Sequence, residues 1–288
     1  MKNKTIVGIG EILFDLLPQG PQLGGAPANF AYHVSRLGGA GVAVSAVGKD
    51  ELGADILHIL ASKNLDAILP QVEHPTGTVE VSLDEKGIPA YTIIEGVAWD
   101  NVPFSTEMEV LAAEAGAVCF GTLAQRSPVT RNTIRQFIRH MPEDSLKVYD
   151  INLRQHFFSK EIVDASLWIA DILKINDEEI ATVSTLLDLD NNPETACRQL
   201  IGKYGLRLVI LTKGGDGSEV ITPGEVLSLR CPQVDIADTV GAGDAFTAAF
   251  ILAYLRGDSL KDCHALANEV SAFVCSRSGA MPEYDRTF

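Results

Sequence analysis

Hydrophobic positions follow two alternating rhythms along the chain. Short runs rich in β-branched and other apolar residues recur at Thr5–Ile9, Val42–Val47, Ala117–Phe120, Val148–Ile151, Ile172–Ile175 and Leu208–Leu211. Between many of them, apolar residues recur at helical spacing, at about Ala28–Leu37, Ala54–Lys63, Thr130–Arg139, Glu178–Leu187 and Glu194–Tyr204. This alternation predicts a mostly parallel sheet with helices packed on both faces. In such sheets ligands bind outside the carboxyl ends of the strands. Another helix is predicted after Asp244, where Phe246, Phe250, Leu252 and Leu255 supply an apolar face and Ala248 and Ala249 favour helix.

Val72–Asp100 breaks the rhythm. Thr78–Leu83 alternates with period two, Asp84–Gly87 reads as a turn, and Tyr91–Ile94 follows as a second strand. The pattern is a β-hairpin with no neighbouring helix to cover it. Leu13–Leu17 and Pro21–Gly24 add short extended pieces. The expectation is a single domain over residues 1–288, with a small β lid formed from about 11–24 and 72–100 inserted in the α/β core. The apolar face of that lid needs cover from the substrate cleft or from a second subunit, and a homodimer through the lid is expected.

Composition narrows the partners. The chain has 288 residues, 46% of them hydrophobic, enough for a sizeable core. Its 38 acidic against 23 basic residues give a net charge of -15. Nucleic acid and anionic membranes need a positive field, so neither is expected as a partner, and a small molecule fits better. Five cysteines, an odd number with no Cys-x-x-Cys pair, read as free thiols in a reducing cytoplasm, without a zinc site. No leader or membrane-spanning run is read in the sequence.

The candidate chemistry gathers in Asp238-Thr239-Val240-Gly241-Ala242-Gly243-Asp244, directly before the last predicted helix. Gly241, Ala242 and Gly243 would present backbone N–H groups at a helix N-terminus, where negative charge is favoured. A carboxylate is a poor anion binder but a good base. Asp244 can take a proton from a hydroxyl while the neighbouring amides hold charge on a phosphoryl group. The competing reading is a glycine-rich loop with an Asp in the first helical turn.

This stretch resembles the C-terminal signature of the PfkB, or ribokinase-like, sugar kinases. Gly24-Gly25-Ala26-Pro27-Ala28-Asn29-Phe30-Ala31, with Gly38 and Gly48 following, is similar to that family's N-terminal signature. Finer matches resemble the fructokinase branch: Gly10–Asp15, Pro75–Val79, Ala98–Asp100, Gly121–Arg126, Asp150–Arg154, Lys174–Glu179 and Leu211–Gly217. The resemblance implies a three-layer α/β/α fold with a mostly parallel central sheet and a small β-sheet lid. It implies transfer of the γ-phosphoryl group of ATP to a primary hydroxyl, with D-fructose to fructose 6-phosphate the leading reaction.

Carried over residue by residue, the resemblance makes Asp244 the base and Gly241, Ala242 and Gly243 the anion hole. Asp15, Gly24, Gly25 and Asn29 would meet the sugar; from the residues alone, Arg154, just past a strand end, could reach a phosphate or a substrate oxygen, with Arg126 a second candidate cation. Asp238 would either orient a sugar hydroxyl or shape a potassium site. Asn176 and Glu179 would position magnesium and phosphates, Glu179 through water. Thr212, Gly214, Gly217 and Asn268 would meet the nucleotide, with Ser271 and Gly279 beside the adenine. The cofactors implied are ATP and Mg²⁺, with K⁺ left open.

Several of these residues have plainer readings. Asn29 suits a helix cap, Asp15 a solvated loop, and the Asn176–Glu179 pair a helix N-terminus with an acid in its first turn. Lys49 stands where the family often has Asn. Other acceptors in the same class are ribose and 2-keto-3-deoxygluconate. A nucleoside would want an aromatic sandwich, for which Phe14, Tyr91 and Trp99 are available, although core packing suits at least two of them. A sugar sensor with little turnover is a further alternative. The P-loop pattern is absent and the Gly8-Ile9-Gly10 stretch fails the dinucleotide fingerprint.

Overall fold

A computed structural model describes residues 4–17, 20–83 and 89–288. The strands are β1 (Thr5–Ile9), β2 (Leu13–Leu17), β3 (Gly20–Gly24), β4 (Ala40–Val44), β5 (Val47–Gly48), β6 (Asp66–Ile68), β7 (Gln71–Val72) and β8 (Gly77–Leu83). They continue with β9 (Pro89–Ile93), β10 (Ala115–Phe120), β11 (Leu146–Asp150), β12 (Ile172–Asn176), β13 (Leu208–Thr212), β14 (Ser218–Ile221) and β15 (Val226–Leu229). The helices are α1 (Ala26–Arg36), α2 (Glu51–Ser62), α3 (Thr106–Glu114), α4 (Pro128–His140), α5 (Lys160–Leu167), α6 (Asp177–Leu187), α7 (Pro193–Tyr204), α8 (Ala242–Arg256) and α9 (Leu260–Cys275).

Nine strands form one sheet in the order β15-β14-β13-β12-β11-β10-β1-β4-β6. From β6 to β13 the pairing is parallel, and β14 and β15 close that edge antiparallel. The central strands are apolar on both faces because both faces are covered. Val7, Phe120, Tyr149, Leu173 and Leu211 pack towards α4, α6 and α7. Their alternating neighbours Ile6, Cys119, Val148, Ile172 and Ile210 pack towards α1, α8 and α9. The period-two alternation therefore feeds two cores, the arrangement expected of a sheet between two helical layers.

Two details differ from the sequence reading. The expected strand Val42–Val47 is split. The first part stays in the large sheet, while Val47–Gly48 turns away to pair with β7. The helix after Asp244 is not amphipathic. Residues Ala245 to Ala253 are all buried, because α8 is covered by α1, α9 and the sheet together.

The second sheet has the order β3-β2-β8-β9, from the two segments expected to form the lid. The turn expected at Asp84–Gly87 lies outside the described residues. Leu13, Val79 and Ile93 are buried and face the large sheet's carboxyl edge, so the cleft of the same chain covers this apolar surface. Among the described residues, no helix is long and apolar enough to cross a membrane.

Candidate active site

The carboxyl ends of β1, β11, β12 and β13 and the N-terminus of α8 surround a cleft of about 1160 Å³, with the small sheet along one side. Of the expected site residues, Asp15, Gly24, Gly25, Asn29, Arg154, Asn176, Glu179, Thr212, Gly214, Gly217, Gly241, Ala242, Gly243, Asp244 and Asn268 all line it. The motifs that bring them there are more than two hundred residues apart in the chain.

At the glycine-loop end, Gly241 caps α8 with φ 77°, a conformation that glycine adopts without strain. A Cβ there would also lie 2.8 Å from Ala280. Asp244 sits in the first turn of α8 and accepts a hydrogen bond from Asn29 Nδ2 at 2.8 Å. Asn29 is inside α1, whose cap is Gly25, so it orients the carboxylate rather than capping a helix. Burial, reinforced by the Asp150 carboxylate, pushes Asp244 up to about 6, against Asn29, Lys174 and Arg154. It is therefore a stronger base than an ordinary aspartate and is still ionised at neutral pH.

Beside the glycine loop lies a buried ion pair. Asp150 and Lys174 are register partners on adjacent parallel strands, and Lys174 Nζ donates to Asp150 Oδ1 at 3.1 Å. Thr247 on α8 donates to Asp150 Oδ2 at 3.0 Å. A Cβ on Gly243 would lie 3.1 Å from Lys174 Nζ.

Beside the small sheet, Gly25 takes φ 117°, and a Cβ there would lie 2.5 Å from the Glu11 carbonyl oxygen. A Cβ on Gly24 would approach Asp15 Oδ2 to 2.9 Å. Asp15 is half-buried; burial raises its pKa and Arg154 opposes the rise. Arg154 follows β11 on an exposed loop that holds Asn152 and Gln155 in the left-handed region, φ 43° and 48°. Gln155 Nε2 donates to the Tyr91 carbonyl at 2.5 Å, joining that loop to the small sheet. Glu11 is buried at the cleft, and its burial pushes it up to about 7, aided by Asp244 and opposed by Arg154. Among the described residues, its Oε2 and Asn29 Oδ1 are buried without a hydrogen-bond partner.

At the other end, Asn176 and Glu179 form a reciprocal capping box on α6. Asn176 Oδ1 accepts from Glu179 N at 2.8 Å, and Glu179 Oε2 accepts from Asn176 N at 3.0 Å. Glu179 Oε1 also accepts from Leu153 N at 2.9 Å. Among the described residues, no group of three or more His, Cys, Asp or Glu is arranged to hold a metal ion. Thr212 is the register partner of Asn176. Gly217 takes φ 106°, where a Cβ would lie 2.0 Å from the Leu229 carbonyl oxygen. Asn268 Nδ2 donates to Ser218 Oγ at 3.2 Å and to the His264 carbonyl at 3.1 Å, and Ser218 Oγ is 2.7 Å from His264 Nε2.

Other expected residues lie elsewhere. Asp238 is not on the cleft. Its carboxylate accepts from Val240 N at 3.0 Å and from Gly279 N at 3.1 Å, tying the loop to the C-terminal segment. This geometry does not support a sugar contact. Gly279 likewise stands outside the cleft lining, whereas Ser271 is part of it. Arg126 is committed to the fold. It makes a two-pronged pair with Asp100 at 2.8 and 2.9 Å, donates to the Ile94 carbonyl at 2.6 Å, and lies over Trp99. Lys49 pairs with Glu73 on the surface. Phe14 and Trp99 are core residues, and Tyr91 is exposed.

Glu11, Asp150, Lys174 and Thr247 were not singled out from the sequence. Asp150 and Lys174 sit inside recognised motifs, but only the strand register places them together.

Residues 20–286 match the profile described as pfkB family carbohydrate kinase. A fructokinase from Escherichia coli is 30% identical over 257 residues, 84% of this chain and 82% of the relative. The crystal structure of an uncharacterized sugar kinase from Pyrococcus horikoshii in complex with ATP superposes with a TM-score of 0.80 at 28% identity, covering 96% of this chain and 94% of that one. A fructokinase from Xylella fastidiosa with bound ATP superposes with a TM-score of 0.86 over 97% of this chain and 94% of that one. At 22% identity the Xylella structure bears on the fold alone.

Proposed function

The chain belongs to the pfkB carbohydrate kinase family and is a sugar phosphotransferase, and on that premise we propose that it phosphorylates D-fructose at its primary 6-hydroxyl with ATP. Its fold is ribokinase-like, a large mostly parallel sheet between helices with a small separate sheet. The observation that carries the proposal is Asp244. Its carboxylate is partly buried, held by Asn29, raised towards neutrality, and placed in the first turn of a helix entered by two glycines.

Fructose lies between Asp15, Asn29, Arg154 and the Gly24–Gly25 turn, under the small sheet acting as a lid. Asp244 takes the proton of the 6-hydroxyl as that oxygen forms its bond to the γ-phosphorus. The bond from the γ-phosphorus to the bridging oxygen breaks, and its electron pair leaves with ADP. The N–H groups of Gly241 and Gly243 hold the charge on the transferring group, while Ala242 N already donates to the Thr239 carbonyl at 3.3 Å, in a reaction governed by positioning and electrostatics. Thr212, Gly214, Gly217 and Asn268 seat the nucleotide. Both carboxylate oxygens of Glu179 already accept backbone N–H groups, so a nucleotide-borne magnesium ion would meet Glu179 and Asn176 through its waters, where it neutralises phosphate charge. Asp238 shapes the start of the glycine loop from outside the cleft, where it accepts from Val240 N and Gly279 N. The protein is proposed to act in the cytoplasm, as a homodimer joined through the small sheet.

The experiment is ADP release measured against a panel of fructose, ribose, 2-keto-3-deoxygluconate and a nucleoside. Release stimulated most by fructose supports the proposal, and preferential release with another acceptor replaces fructose by that acceptor. Binding of sugar without ADP release would turn the reading to a sensor.

A further inference from the structure

A phosphoryl group at the glycine loop calls for a fixed cation, and neither Arg126 nor Arg154 is fixed there. Arg126 is bound into the fold, and Arg154 is an exposed residue near the acceptor acids. The cation at the loop is Lys174. It is buried, lines the cleft, and its ammonium stands where a side chain on Gly243 would touch it. An ammonium has three N–H donors. Among the described residues, its recorded side-chain acceptor is Asp150 Oδ1 alone. A buried ion pair rarely stabilises a fold more than apolar packing would, so its position at the cleft asks for a use.

We propose that Lys174 is a catalytic residue whose ammonium binds the transferring phosphoryl group beside Gly243, and that Asp150 and Thr247 are the positioning residues that hold it there. The assignment rests on the kinase reading of the cleft and adds a residue to it. Strand register fixes the lysine stem, since Lys174 lies directly beside Asp150 on the neighbouring strand. The Thr247 hydroxyl lies 3.0 Å from Asp150 Oδ2 and 3.0 Å from the Gly243 carbonyl oxygen, so its single proton is shared between the acid and the loop. One hydroxyl thus links the ion pair to the glycine loop. Burial works against the lysine charge, but Asp150, Glu179 and Asp244 outweigh it and hold the group protonated. The γ-phosphoryl group would then meet backbone donors from one side and a full positive charge from the other.

The test compares nucleotides that differ only in the γ-phosphoryl group, in the absence of sugar. Calorimetric Kd values are measured with Mg²⁺ for ADP and for the non-hydrolysable β,γ-imido analogue of ATP. In Lys174→Met the analogue should bind roughly tenfold to a hundredfold more weakly, the worth of one charge-assisted hydrogen bond, and ADP less than about twofold more weakly. Leaving Asp150 unpaired threatens folding, so Asp150→Asn/Lys174→Met, which removes both buried charges, is measured alongside and should show the same selective loss. Asp150→Asn alone keeps the ammonium and an Oδ1 that can still accept from it but loses the holding charge, so the preference for the analogue should weaken yet persist, by clearly less than in Lys174→Met. Equal losses for both nucleotides, no loss, or a selective loss in Asp150→Asn alone matching that in Lys174→Met would overturn the assignment. No acceptor is present, so failure of the fructose proposal leaves this result readable.

Discussion

The two ends of the cleft are built differently. At the phosphoryl end, hydrogen bonds of 2.8–3.1 Å join Asn29 to Asp244 and, separately, Lys174 and Thr247 to Asp150, and most of these side chains are buried. The C-terminal segment locks this end further. Tyr32 donates to the Pro282 carbonyl at 2.7 Å, His33 Nε2 is 3.0 Å from the Ala280 carbonyl, and Ala280 packs against Gly241. At the acceptor end, Asp15 is half-buried, Arg154 is exposed, and the small sheet is held through contacts such as Arg126 to Ile94 and Gln155 to Tyr91. The first end is fixed before any ligand arrives, as electrostatic catalysis requires. The second is more exposed, and on the proposed function it is the end left to adjust to its acceptor, so reaction class would rest on the core and sugar choice on a sheet attached at its edge.

Breaking the rigid end should cost turnover. Asp244→Asn should lower kcat by about 10²-fold or more, the range for loss of a general base, with the melting temperature and sugar affinity largely kept. Near wild-type kcat would remove the base role. Gly243→Val would push methyl groups towards the Lys174 ammonium, only 3.1 Å from the first added carbon. It should lower kcat by roughly tenfold or more through the distorted anion hole. If only the melting temperature falls, the glycine is structural.

Breaking the adjustable end should cost affinity instead. Arg126→Met leaves Asp100 buried without its partner and frees the Ile94 carbonyl. Stability should fall by about 3–5 kcal/mol, read by denaturant unfolding, and KM for fructose should rise in the protein that remains folded. Asp15→Ala should raise KM for fructose roughly tenfold, with kcat and KM for ATP nearly unchanged, as expected for one lost hydrogen bond from a charged group. A drop in kcat equal to the rise in KM would place Asp15 with the catalytic group and erase the contrast between the ends.

Much of this contrast could be read from the chain before its fold was known. The alternation of apolar runs placed the sheet and its helices, and the period-two hairpin placed part of the small sheet. Asp244 and its glycines were legible because a helix N-terminus is a local property of nine residues. What was not legible depends on partners far away in sequence. Lys174 looks like any strand-end lysine until β11 and β12 fall into register and set Asp150 beside it. Arg126 looks like a phosphate ligand until Asp100 occupies it. Asp238 looks like a sugar ligand until the chain returns at Gly279 to claim its carboxylate. The helix after Asp244 carries no polar stripe, since its surroundings, and not its own period, decide that every side is covered.

The pH dependence of kcat/KM for fructose tests the role of Asp244 most directly. The base works ionised, and burial with Asp150 nearby raises it to about 6. Rate should therefore be level above that pH and fall about tenfold per unit below it. Lys174 and Arg154 act to lower this limb, and Asp150 acts to raise it. A limb near pH 6 that is absent from the residual activity of Asp244→Asn is the predicted result. A profile flat between pH 5 and 8 in the wild-type protein, or the same limb in both proteins, would contradict it.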